Sequence, residues 1–480
     1  NTENVKKCEQ WVNPLEKMPP SCIWETRCVY WELQGAAARR FHNPTNQKGY
    51  LPMRLGLTEL LLIVIIALLA LGPGVSRWLN RWSRQAKASR AAEARRRAAW
   101  EAERKARRDF ILHRFQIVAA VFAAATAVAL VYTLGLRPIE AAPQSYTVPA
   151  AASQTAAQTI EGTAALPLEG YQPPDCIVVR DGWIYMAARP AGGSGSALLR
   201  MREDGSAQMT VLAEEGVITS FAFDPAGDIW YTLLTGTGGA LCRLSHDDWG
   251  ASAQQVVTQI DGRPLAYPAA VAAGAGGEIY FTEAAGFTPK AGTLEEALRA
   301  ELVGHTATGW VYVYDPAGRS VQRVLGGLAG APALAVSPDG ATLYAADLGS
   351  RCIWAVETSA RELTAGGKGC TLFAGALPGY PGALAADGEG TVYVAYRWAE
   401  AGWLESRAQD PGLRGVAARL PRSVQQGLFR AGEPLAQSYA PDGRLDEDYS
   451  SAEAGGWALA ASGNRLYLPG AQDGVSYFVF

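Results

Sequence analysis

Histidine and cysteine are scarce in this chain, with four and seven residues in 480. No Cys-x-x-Cys pair occurs, and the cysteines are too few and too scattered for a disulfide scaffold. A Gly-x-Ser-x-Gly elbow, a His-Glu-x-x-His pair and a phosphate-binding glycine loop are all missing, which removes three common catalytic signatures. His246 and His305 stand in loop regions with no nucleophile or carboxylate at a telling spacing. The net charge is only −3, but this balance hides an asymmetry. Residues 53–136 hold 14 Lys/Arg against 5 Asp/Glu, whereas residues 137–480 hold 22 against 36. A basic region beside an acidic one argues for two separate environments. The large acidic part would repel phosphate, so nucleic acid is excluded as a partner.

Residues 1–52 do not open on Met and carry Cys8, Cys22 and Cys28, each near a tryptophan. A zinc site there would need a fourth ligand, and His42 lies at no recognised spacing from the three cysteines. Met53 opens a chain of different character, so residues 1–52 are read as a segment upstream of the translated start or as a disordered one.

Two apolar runs follow. The first closes the stretch 53–73 on Gly72-Pro73 and is short for a span at ~1.5 Å rise per residue. Val75, Trp78, Leu79 and Trp82 then fall on one helical face, which begins a basic amphipathic helix over 74–109. The second run, 110–136, is long enough to cross a bilayer. Between them, residues 77–114 carry 13 Lys/Arg, which the positive-inside rule places in the cytoplasm. The expectation is therefore a two-span membrane hairpin, with everything after Leu136 on the extracytoplasmic side. Residues 137–165, rich in Ala, Thr, Gln, Ser and Pro, read as a flexible linker. Gly56, Leu57, Glu59, Leu60, Gly72 and Pro73 resemble the short first helix of twin-arginine translocase A/B-type subunits, with Leu71 where Phe is usual. That resemblance implies a bacterial-type cytoplasmic membrane, and a membrane-protein partner through the first helix.

Residues 166–480 repeat one hairpin. Its aligned pairs are Ile184-Tyr185, Ile229-Trp230, Ile279-Tyr280, Leu343-Tyr344, Val392-Tyr393 and Leu466-Tyr467, at spacings of 45, 50, 64, 49 and 74 residues. Short strands with Gly/Asp turns at this period predict an all-β, six-bladed β-propeller. The two long intervals hold helical inserts, at Thr293–Val303 and Trp403–Val416. A segment near Gln158–Leu168 is expected to supply the outer strand that closes the ring. Cys352 and Cys370 flank the outer half of blade four, either as a disulfide or as two buried thiols.

Several stretches carry a family likeness. They are Ile279-Tyr280-Phe281-Thr282-Glu283, Gly309–Pro316, Leu377-Pro378-Gly379-Tyr380-Pro381, and the insert running into Asp410-Pro411-Gly412-Leu413-Arg414. With these, residues 166–480 resemble the strictosidine synthase-like family. In its wider superfamily, which includes gluconolactonases and paraoxonases, a calcium ion sits in the channel on Glu, Asn and Asp ligands. Here Ala269-Ala270, Ala333-Leu334 and Gly382-Ala383 stand where such ligands are expected, and only Asp175 keeps a carboxylate. The strictosidine synthase reaction needs a Glu in blade six, where this chain has Trp457.

The expected function is therefore binding rather than catalysis, with no cofactor. Asp175, Tyr267, Tyr380 and Trp457 are the candidate channel-lining residues, and Ala, Pro and aromatic side chains suit an apolar small molecule or a peptide. Glu283 and Asp347 follow second strands, where a carboxylate either lines a mouth of the channel or bonds loop amides. The alternative is a calcium-dependent lactonase or esterase-type hydrolase built on Asp175. An accessory role in twin-arginine transport is the third reading.

Overall fold

The structure, a computed structural model, describes residues 57–70, 72–139, 141–150, 154–156, 158–249, 253–287, 293–430, 435–472 and 474–480. The expectations for residues 1–52 lie outside the described residues, as does the proposed start at Met53. The chain divides into one unit up to Arg114 and a second from Phe115.

Leu57–Ala70 is a helix of Leu, Ile, Val and Ala, with Glu59 in its first turn. The basic stretch is not an element of its own, because Gly72–Val131 is one helix of 60 residues. Pro73 and Gly74 stand in its first turn, where a missing N–H costs little. Neither residue type recurs before Gly135, so nothing breaks the helix where its composition changes. It ends in a π-helical turn, Tyr132–Leu136, where Arg137 N donates to Tyr132 O at 2.8 Å. Among the described residues, one helix is long and apolar enough to cross a membrane, and Leu57–Ala67 is a shorter apolar one. The apolar side chains of the long helix are open, Phe115 at 71% and Phe122 at 74% exposure.

The propeller is observed. Blade one spans residues 176–214, blade two 217–257, blade three 268–328, blade four 334–374, blade five 379–450 and blade six 460–479. All six aligned pairs sit on second strands: Trp183–Ala188, Ile229–Leu234, Ile279–Glu283, Thr342–Asp347, Val392–Ala399 and Arg465–Pro469. The ring is closed by Ala164–Leu166, which pairs antiparallel with Val475–Val479, Ala165 facing Ser476. Gln158–Glu161 adds a parallel fifth strand outside blade five, and Leu363–Thr364 does the same for blade three. The core lies between blades. Ile184 and Met186 meet Tyr467 and Val475 across blades one and six, and Leu198 and Tyr185 meet Ile218 and Phe221 across blades one and two. Similar apolar clusters fill the other four blade interfaces, as expected where each unit buries its apolar face only against its neighbours.

Both inserts are helical and join second to third strands. Blade three carries Leu294–Gly304; blade five carries Gly402–Glu405, Pro411–Ala418 and Arg422–Gln426. Asp410 caps Pro411–Ala418 by accepting from Leu413 N at 3.0 Å, with Pro411 in the first turn. Arg414 is fully buried and donates to Gln144 O (2.7 Å) and Leu302 O (3.1 Å), so it ties both inserts to the segment that reads as a linker. That segment is not bare over its length. Tyr146 is buried and stacks on His305 at 3.8 Å between ring centroids, and Arg419 Nε donates to Arg137 O at 2.6 Å. Cys352 and Cys370 are free thiols. Cys370 pairs with Val356, four places along the strand from Cys352, so roughly 13 Å of strand separates them. That is too far for a bridge.

Candidate functional site: the neck of the channel

Strands run alternately up and down each blade. The start of every innermost strand therefore shares a face of the ring with the loop between second and third strands. Six residues stand at equivalent places at these starts: Asp175, Thr219, Ala269, Pro332, Gly382 and Trp457. All six line both a channel of about 610 Å3 and a mouth cavity of about 600 Å3. They form the neck between the two. Trp457 is fixed by its Nε1, which donates to Pro174 O at 2.9 Å. The insert helix contributes Leu294, Glu295 and Leu298 to the mouth wall.

Irregular pairing shapes this rim. Thr219 is unpaired between Ile218, opposite Leu233, and Ser220, opposite Thr232, and its hydroxyl bonds Thr232 Oγ1 (2.8 Å) and Pro268 O (2.9 Å). Ala269 and Ala270 bulge between Pro268 and Val271. In blade five, Tyr380 faces Trp398 and Pro381 faces Tyr396, so Arg397 is the extra residue on its strand, while Gly382 is the extra residue on the other. Bulges re-aim side chains, and here one brings Arg397 to the mouth. A Cβ on Gly382 would lie 2.8 Å from Arg397 Cβ, so the glycine makes room for the arginine.

Asp175 accepts from Arg189 Nε at 3.1 Å and from Arg189 Nη2 at 3.3 Å. Burial pushes its carboxyl above the usual range, with Arg189 and Arg397 pulling it back. Burial lowers the Arg397 pKa, against through-space attraction from Glu295 and Asp175. A calcium ion here would need six or more oxygens. The neck offers one carboxylate, already paired with an arginine, and a second guanidinium stands beside it. These residues do not fit a divalent cation. Among the described residues, no group of three or more His, Cys, Asp and Glu side chains is placed to hold a metal.

The sequence candidates divide. Asp175 and Trp457 meet at the neck. Tyr267 lines a separate recess of about 320 Å3 beside the inserts. Glu283, Asp347 and Tyr380 line neither channel nor mouth. Glu283 is fully buried, holding Arg263 Nη1 (2.8 Å) and Ala266 N (2.7 Å). Asp347 accepts from Ala329 N (3.1 Å), Ser350 N (3.2 Å) and Trp354 Nε1 (3.3 Å), the loop-bonding arrangement. Tyr380 donates to Glu405 at 2.8 Å, under the blade-five insert. Sequence reasoning missed Arg189 and Arg397. The signal for Arg397 was its place as the lone charge in VYVAYRWA, a strand otherwise apolar.

Beside this face, Glu301 is fully buried and accepts from Thr306 Oγ1 (2.8 Å), Thr306 N (3.2 Å), Thr308 N (3.3 Å) and the Thr308 hydroxyl. Burial pushes its pKa from 4.5 up to about 7, against those donors. The folded state then keeps a proton that the unfolded chain has released. The stability this group confers is complete below pH 4.5 and is lost as pH rises through about 7. Glu301→Gln has no such proton to lose. In denaturant melts, wild type should therefore lose about 3 kcal/mol relative to the variant between pH 4.5 and 8. Parallel pH profiles would show that Glu301 does not titrate in this way.

A family model described as SMP-30/Gluconolactonase/LRE-like region matches residues 194–410. That match and the six-bladed ring fit this wider superfamily. No curated protein matches the sequence. Among solved structures, a gluconolactonase from Xanthomonas campestris is similar at 17% identity and a TM-score of 0.46, over 66% of this chain and 88% of that one. Regucalcin from Agrobacterium tumefaciens, a calcium-binding protein, is similar at 13% and 0.42, over 67% and 95%. Virginiamycin B lyase from Staphylococcus aureus is similar at 12% and 0.40, over 66% and 98%.

Proposed function

We propose that this protein is a membrane-anchored propeller of strictosidine synthase-like type. In this reading it binds an apolar small molecule or a peptide at its channel and lacks the calcium centre usual in the superfamily. The observation that carries the reading is the neck. Six equivalent positions supply one carboxylate, and Arg189 already holds it. Anchoring is supported by the open apolar side chains of the long helix, whose C-terminal part needs a lipid or protein environment. The basic residues before it favour a cytoplasmic start and an extracytoplasmic propeller.

A ligand that binds only the native state raises the melting temperature. The full-length protein should accordingly melt at the same temperature, within about 1 °C, in millimolar calcium and in EDTA. A calcium-dependent rise, together with lactone or ester turnover abolished by Asp175→Ala, would replace this reading with the lactonase or esterase-type hydrolase.

A further inference from the structure

Arg397 is an unusual residue to find at a channel mouth with no acceptor. Its Nε and Nη1 are buried and have no hydrogen-bond partner among the described residues, and the side chain lines the mouth cavity. Enclosing guanidinium N–H groups without an acceptor is costly. The two carboxylates that bear on Arg397, Asp175 and Glu295, do not relieve that cost directly, because each is held by another arginine. Asp175 is held by Arg189, Glu295 by Arg299 at 2.9 Å, and Glu296 by Arg422 at 2.8 Å. Asp175 and Glu295 act on Arg397 through space only.

We infer that the mouth cavity is a carboxylate-binding site, in which the Arg397 guanidinium receives the anionic end of an otherwise apolar monocarboxylic acid. The inference rests on the binding function proposed above and names its ligand class. A carboxylate gives Arg short charge-assisted hydrogen bonds, and Arg397 has N–H donors without an acceptor. A single negative charge is specified because Arg397 is the one mouth guanidinium with unpartnered N–H groups among the described residues, Arg189 being held by Asp175. The apolar body is specified by the remaining wall, where Val217, Leu234, Leu294, Leu298 and Trp457 face the same cavity. Its volume of about 600 Å3 lies within the range of small-molecule sites.

The test titrates full-length protein at pH 7 with 4-phenylbutyrate and with its neutral counterpart, 4-phenylbutyramide, by calorimetry. The acid should bind at least tenfold more tightly than the amide. Arg397→Met should weaken the acid tenfold or more and leave the amide unchanged, and Arg397→Lys should fall between the two. Equal affinity for acid and amide, or an acid affinity untouched by Arg397→Met, overturns the inference. Absence of acid binding overturns it as well. If only the amide binds, the channel-binding function stands without it, whereas calcium-dependent stabilisation would remove that function itself. Should Arg397→Met fail to fold, the acid-to-amide ratio of wild type and of Arg397→Lys decides the matter.

Discussion

Gly382→Asp will destabilise the propeller by about 2–3 kcal/mol, the scale of overpacking a filled core, and will not create a calcium site. The substitution places a carboxylate at the neck, beside Asp175, so a cation site limited only by a missing oxygen would gain from it. The backbone argues the other way. A Cβ at Gly382 would lie 2.6 Å from Gly456 O and 2.8 Å from Arg397 Cβ. Gly456 cannot retreat, since its own Cβ position is 2.0 Å from Tyr396 O. Blade five, blade six and the Arg397 stem thus meet at a point with no room for a side chain. Urea melts of wild type and variant, with and without calcium, give both readouts. A variant as stable as wild type, or one stabilised by calcium, would show that the neck is a metal site missing a ligand.

A chain beginning at residue 167 will lose about 4–6 kcal/mol and will associate. It lacks Ala164–Leu166 and, with it, the strand partner of Val475–Val479. Burying Leu166 contributes about 2 kcal/mol, and each ladder hydrogen bond about 1 kcal/mol net. Gly474 packs so closely on this strand that a Cβ there would lie 2.2 Å from Leu166 O. Against a total domain stability of ~5–15 kcal/mol, the loss is a large share. The same cut removes Gln158–Glu161 and uncovers the outer edge of blade five. Two unpaired edges are templates for association. Gel filtration and thermal melts of chains starting at 154 and at 167 make the comparison. Two monomers with matching melting temperatures would show that closure does not depend on these strands.

The architecture was legible because each blade repeats an alternating apolar strand after a Gly/Asp turn. Such a pattern survives any sequence change that keeps the inner face of the strand apolar. Ile184-Tyr185 and Leu466-Tyr467 could be aligned although blades one and six meet only on ring closure. The site was less legible because it depends on register. Arg397 is marked in sequence as the lone charge of its strand, but its place at the mouth depends on two bulges that set Tyr380 against Trp398 and Pro381 against Tyr396. A bulge adds one residue without any composition of its own. Glu283 and Asp347 stood at the right place in their blades for either role. Segments distant in sequence decided between them: Arg263 and Ala266 for the first, the Ala329 amide for the second. In the N-terminal part, hydropathy divided a stretch that the backbone keeps whole, because a change from basic to apolar side chains does not interrupt a helix and only Gly or Pro would.

Blades three to six line the channel largely with alanine, Ala270, Ala333, Ala383 and Ala458 among them. Alanine has no rotamers to surrender. A molecule that settles against this wall immobilises almost nothing, and avoids the ~0.5–1.5 kcal/mol that each long, mobile side chain would cost on ordering. The same wall cannot reshape itself around a poor fit, because methyl groups fixed to strand backbones have nowhere to swing. For the ligand proposed above, such a channel would discriminate by outline, as a mould does, with a selectivity set when the ring closes rather than when the ligand arrives.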